Sequence, residues 1–205
     1  MSQVELITAF AALFVIIDPI GLAPIFLALT TGMSPRRRRI IGIRACAIAA
    51  ALLVVFALAG EAVLNFVGIS MPAFRIAGGL LLFLTALEML FEKRTQRREG
   101  QAEEPTDDPS VFPLALPLIA GPGAIATMIL LTDGAAVLGT AQAIGVMLSV
   151  IAVVFGLFLL ATPMERLLGA TGINVVTRLL GMLLAALSVQ FVLDGLADLP
   201  WTGGL

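Results

Sequence analysis

The sequence predicts an all-α membrane protein: six transmembrane helices arranged as two inverted three-helix repeats, with helices one and four broken near their centres. Three observations lead there. Residues AVILMFWYC make up 60% of the 205 positions and charged residues 13%, about half the ~25% of a soluble domain, and mean hydropathy is +1.07. The apolar residues fall in six continuous runs. The order of motifs in the first three runs recurs in the last three.

A backbone in hydrocarbon must satisfy its amides internally, so apolar runs of about 20 residues read as spanning helices. The runs are 9–29, 40–59, 71–91, 112–131, 141–161 and 175–193. They lack the alternating polarity of a membrane β-barrel strand. The chain opens Met1-Ser2-Gln3-Val4-Glu5, without the basic segment of a secretory signal, so the first run reads as a retained span. Every basic residue except Arg75 lies in or beside loops one, three and five: Arg36 to Arg39 and Arg44, then Lys93, Arg94, Arg97 and Arg98, then Arg166 and Arg178. The positive-inside rule then puts those loops in the cytoplasm and both termini outside, in the periplasm. Arg36 to Arg39 read as topology determinants that also attract anionic lipid. The stretch 92–110, with four basic and six acidic residues plus Pro105 and Pro109, reads as a charged cytoplasmic linker between a first repeat, 1–91, and a second, 111–205.

The two repeats share three blocks in the same order. Phe14, Pro19 and Pro24 align with Phe112, Pro117 and Pro122 at an offset of 98. Glu61, Leu64 and Gly68-Ile69-Ser70 align with Glu165, Leu168 and Gly172-Ile173-Asn174. Arg75, Gly78, Leu80-Leu81 and Leu84-Thr85 align with Arg178, Gly181, Leu183-Leu184 and Leu187-Ser188 at an offset of 103. Each repeat holds an odd number of spans, so the second enters the membrane the opposite way up, an arrangement frequent among secondary transporters.

The first span of each repeat carries the informative chemistry. Asp18-Pro19-Ile20-Gly21-Leu22-Ala23-Pro24 lies mid-span; its prolines lack amide donors and Gly21 is conformationally permissive. Asp18 before Pro19 has the form of a helix N-cap followed by the first helical position. Span four repeats the device with Ala120-Gly121-Pro122-Gly123, and Thr127 adds a hydroxyl. Two half-helix N-termini near the bilayer centre would make a small electropositive pocket for a carboxylate or other small anion. Its expected walls are Asp18, Pro19, Gly21, Pro24, Gly121, Pro122, Gly123 and Thr127. A charge at the bilayer centre costs about 2.5–3.5 kcal/mol, so Asp18 reads as an N-cap, a partner for a substrate ammonium, or a proton carrier. Thr85, Ser188 and Gln190 are expected to hydrogen-bond between helices, and Gly78, Gly79 and Gly181 to allow close helix contact.

Other chemistries find little support. The chain has no His and a single cysteine, Cys46, so histidine metal cages, a Ser-His-Asp triad and an intrachain disulfide are excluded. No paired intramembrane aspartates suggest an enzyme, and no motif calls for a cofactor or a metal. A net charge of -2 provides no overall basic surface for nucleic acid. The lipid bilayer is the one partner that composition demands.

The segment Leu13-Phe14-Val15-Ile16-Ile17-Asp18-Pro19-Ile20-Gly21-Leu22-Ala23-Pro24-Ile25-Phe26 resembles the first-span signature of the MarC family of bacterial inner-membrane proteins. Pro72-Ala73-Phe74-Arg75-Ile76-Ala77-Gly78-Gly79 and Pro113-Leu114-Ala115-Leu116-Pro117-Leu118-Ile119-Ala120-Gly121-Pro122-Gly123-Ala124-Ile125 resemble its other two signatures, and the resemblance covers essentially the whole chain. It implies a multi-pass inner-membrane protein within a wider group related to LysE-type amino-acid exporters, some relatives being described as transporters of small neutral amino acids. The expected function is therefore secondary transport of glycine- or alanine-like zwitterions, with H⁺ or Na⁺ coupling and the oligomeric state left open. The alternative is a channel or scaffold without a coupled cycle. The topology has a direct test: a reporter active only in the cytoplasm, fused after Leu205, should remain inactive, and activity there would reverse the orientation.

Overall fold

The computed structural model describes residues 1–91 and 108–199, and these are helical almost throughout. The elements run α1 (Gln3–Ile17), α2 (Pro19–Leu29), α3 (Pro35–Val67), α4 (Met71–Leu90), α5 (Ser110–Ile119), α6 (Pro122–Thr132), α7 (Val137–Leu159) and α8 (Ala161–Ala197). Five stretches are long and apolar enough to cross a membrane: Gln3–Leu29, made of α1 and α2, and then α3, α4, α7 and α8. The pair α5–α6, bent by 57°, supplies a sixth as one broken span.

Local sequence sets most helix starts. Ser2 and Glu5 form a reciprocal capping box at α1. Ser34 before Pro35 caps α3, and Ser70 caps α4 one residue before Met71-Pro72; a hydroxyl takes up an orphan amide while a nearby proline needs none. Gly68, at φ 82°, ends α3 in a left-handed turn. Two helices exceed their expected spans by the most. α3 begins at Pro35, so Arg36 to Arg39 are helical, and α8 reaches back from the expected 175 to Ala161, broken only at Gly169 (φ 61°, ψ 174°). The helix runs on through this stretch because Pro163 falls in its first turn, where no amide is needed, and Gly172 stays helical. Of the expected linker, residues 92–107, with Lys93, Arg94, Arg97 and Arg98, lie outside the described residues. Asp108 pairs with Arg44. Hydrogen bonding from Ser110, with the Arg44 charge behind it, holds the Asp108 carboxyl below the usual carboxylate range.

The interior is built from α1, α2, the middle of α3, and α7, through side chains such as Leu13, Leu22, Phe26, Leu53, Met147 and Val150. Lipid tails are as apolar as these side chains, so association rests on close packing. Glycines make the closest approaches. A Cβ on Gly60 would meet Ile129 of α6 at 2.4 Å. On Gly79 it would meet the Ser188 carbonyl at 2.8 Å, and on Gly181 the Met89 Cβ at 2.9 Å. Gly195 approaches Pro72 and Ile76. Ascending positions on α4 thus meet descending positions on α8, and the two helices run antiparallel. Thr85, Ser188 and Gln190 depart from expectation: their side chains hydrogen-bond to Leu81, Ala185 and Asp194 of their own helices. The glycines bring the two backbones together at these crossings. Arg75 sits where α4 begins, tied to Asp133 after α6 and Asp198 after α8.

Replacing Gly79 by Ala should lower stability by about 1–3 kcal/mol through overpacking, because the Ser188 backbone cannot retreat as a side-chain end can. Gly156→Ala, where a Cβ meets nothing within 4 Å, is the control. Thermal unfolding in detergent measures both.

Candidate functional site

Both expected breaks exist, built by different means. The first is a single residue. Asp18, 1% exposed, adopts φ 58°, ψ 65° between α1 and α2, a left-handed conformation that Asp tolerates better than most residues. Its amide still donates to the Phe14 carbonyl, and its own carbonyl still accepts from Leu22. The carboxylate turns back so that Oδ1 accepts the Gly21 amide at 3.1 Å. Gly21 is required for this: a Cβ there would lie 2.2 Å from Asp18 Oδ2. Pro19 and Gly21 are buried, and Pro24 is half-buried inside α2. The expected opening over 18–24 is therefore confined to Asp18, because the carboxylate restarts the helix at once.

The second break is longer. Pro113 and Pro117 lie four apart and supply no amide donors. A proline also pushes the residue before it to extended backbone, and Phe112 (φ -124°, ψ 126°) and Leu116 (φ -125°, ψ 128°) are both extended. The turns between widen: the Leu114 amide reaches back five residues to the Pro109 carbonyl, and the Ala120 amide reaches the Ala115 carbonyl. The Phe112–Pro113 and Leu116–Pro117 bonds are cis. The chain leaves α5 through Ala120 and extended Gly121 (φ -80°, ψ 168°), then restarts at Pro122. A Cβ on Gly121 would come 2.6 Å from the Pro117 carbonyl, so this corner also needs glycine.

The two half-helix starts differ in one respect. At α2 the Asp18 carboxylate occupies the first-turn amide of Gly21. At α6 the cap is Gly121, which offers no side chain, so the amides of Gly123 and Ala124 have no acceptor within their own helix. The breaks are neighbours: a Cβ on Gly123 would meet Ile16, two residues before Asp18, at 3.2 Å, and Leu82 at 2.9 Å. Thr127 is buried, and its hydroxyl donates to the Gly123 carbonyl at 2.9 Å, so that group serves its own helix.

Beside the second break lies a cavity of about 640 Å³, walled by Gly60, Phe74, Gly78, Pro117, Ala120 and Pro122 among others, nearly all apolar. The expectation was a small polar cavity bounded by both breaks. Of its eight expected wall residues only Pro122 lines this one. Sequence reasoning passed over the α3 and α4 wall because it carries no polar side chain. Its only signal is the pair of small residues Gly60 and Gly78.

Gly21→Ala should cost about 1–3 kcal/mol, since the methyl group cannot coexist with the present Asp18 rotamer. Gly145→Ala, with open space around its Cβ, should cost nothing in the same unfolding measurement.

The described residues correspond to a known group of sequences. The model of the MarC family integral membrane proteins matches residues 3–199. A UPF0056 membrane protein of Archaeoglobus fulgidus is 39% identical over 93% of this chain and 91% of its own. One of Aquifex aeolicus is 37% identical over 94% and 92%. The inner membrane protein YhgN of Escherichia coli K12 is 36% identical over 94% and 96%. No solved structure matches. The chain belongs to the MarC family of multi-pass integral membrane proteins.

Proposed function

We propose that the protein is a secondary transporter of small neutral amino acids in the bacterial inner membrane, with both termini periplasmic and two inverted three-span repeats, and that it is not an enzyme. One observation carries the reading: the first span of each half is interrupted near the middle of its length, and the interruptions pack against each other at Ile16 and Gly123. Interrupted spans at matching positions of two halves are where transporters hold substrate and ions. The antiparallel contact of α4 with α8 supports opposite orientation of the halves. The inner-membrane description of the E. coli relative supports the location.

The difference between the half-helix starts suggests how a zwitterion would sit. The uncapped amides of Gly123 and Ala124, at the positive end of the α6 dipole, suit its carboxylate. The apolar cavity beside Pro122 suits a short side chain. Asp18 suits the ammonium once its carboxylate leaves the Gly21 amide, with H⁺ or Na⁺ as the coupling ion.

Labelled alanine or glycine in proteoliposomes tests this by counterflow, which only a carrier performs. Asp18→Asn can still cap α2 and should insert normally. Its transport should fall at least about tenfold, as when a charged hydrogen-bond partner worth about 1.5–3 kcal/mol is lost. Gly123→Leu should block by volume with Asp18 intact. Wild-type rates in both variants would move the site elsewhere, and downhill flux without counterflow would favour a channel.

A further inference from the structure

A second cavity, of about 300 Å³, lies between the end of α2, the start of α3, the end of α7 and the first turn of α8. One wall is aromatic: the Phe26 and Phe158 rings stack with centroids 4.2 Å apart and planes 4° from parallel. Gly42 lies against this wall, where a Cβ would stand 3.5 Å from both Phe26 and Phe155, in ordinary contact. The other wall is Arg38 and Arg39, with Thr162 completing the rim.

Arg38 is held in an unusual state. One terminal nitrogen donates to the Thr30 carbonyl at 3.4 Å, while its Nε is buried with no hydrogen-bond acceptor. Neither Arg38 nor Arg39 pairs with a carboxylate among the described residues. A guanidinium keeps its charge at every relevant pH and presents a planar fork that matches phosphate oxygens. A buried charged donor without an acceptor is costly, so a site of this kind favours an anion that brings several acceptors. Arg36 and Arg37, the two residues before them, do not line the cavity.

We propose that this cavity binds a phosphate group, supplied by the headgroup of an anionic phospholipid. The two guanidiniums and the Thr162 hydroxyl take the phosphate oxygens, and the phenyl wall takes the adjoining glycerol and first acyl carbons. The cavity lies where α2 ends and α3 begins, at the end of a membrane span, which is the depth of a headgroup.

The test uses the full chain, purified in detergent and read by native mass spectrometry and thermal unfolding, with added phosphatidylglycerol, phosphatidylcholine or inorganic phosphate. The wild type should retain one phosphatidylglycerol and gain thermal stability from it, while phosphatidylcholine does neither. Arg38→Gln and Arg39→Gln should each weaken retention about tenfold, whereas Arg36→Gln and Arg37→Gln, which remove the same charge outside the cavity, should change it less than about twofold. Because Arg38→Gln also loses the bond to Thr30, Gly42→Leu provides a second probe: it keeps every arginine, fills the space and should abolish retention. Stabilisation by inorganic phosphate that the same three variants lose would keep the site and make its ligand a soluble anion. Equal weakening by all four arginine variants, or equal retention of phosphatidylcholine, would overturn the proposal.

Discussion

In hydrocarbon no water takes a hydrogen bond, so every backbone amide and carbonyl must find a partner in the protein. The rest of this structure depends on that constraint. It makes the spans helical, and it makes each interruption expensive unless local chemistry repairs it. At Asp18 a single carboxylate receives the Gly21 amide and a single left-handed residue keeps the flanking bonds in register. In α5 the two prolines remove the donors themselves, and the remaining amides reach back five residues. One break is mended by a side chain and the other by rewinding the backbone.

The constraint also explains what the sequence could show. Runs of apolar residues announce spans because only helices satisfy the backbone there, so the spans were legible. So were the sites of both breaks, because Pro19, Gly121 and Pro122 act through their own backbone. The extent of each break was not legible. Whether Asp18 opens a whole turn or closes it at once depends on the carboxylate finding Gly21, a side-chain choice that no spacing reveals. The wide winding of α5 follows from extended Phe112 and Leu116, each of which the following proline foreshadows, but its combined 57° bend is a tertiary outcome.

The candidate site was legible in its polar half only. Reading for charge and hydroxyl groups finds Asp18 and Thr127; it cannot find a wall made of Phe74, Ala120 and the space beside Gly78. Thr127 illustrates the same limit. A hydroxyl inside a membrane helix has a carbonyl four residues back within reach, and Thr127 takes that of Gly123, as Thr85 takes that of Leu81. Small residues proved the better guides, since Gly21, Gly79, Gly121 and Gly181 each mark a contact that one methyl group would prevent.

The length of α3 has a consequence of its own. At 33 residues and about 1.5 Å per residue it extends roughly 50 Å, well beyond a hydrocarbon thickness of about 30 Å. Its charges divide that length. From Arg39 to Glu61 is 22 residues, a rise of about 33 Å, with Arg44 near enough to one end to reach polar headgroups along its own methylene stem. The helix is thus matched to the membrane between two charged stops. A piston-like slide in either direction would drag Arg39 or Glu61 into lipid, whereas tilting shortens the projected length and keeps both stops at the surface. α3 can lean, but it cannot plunge.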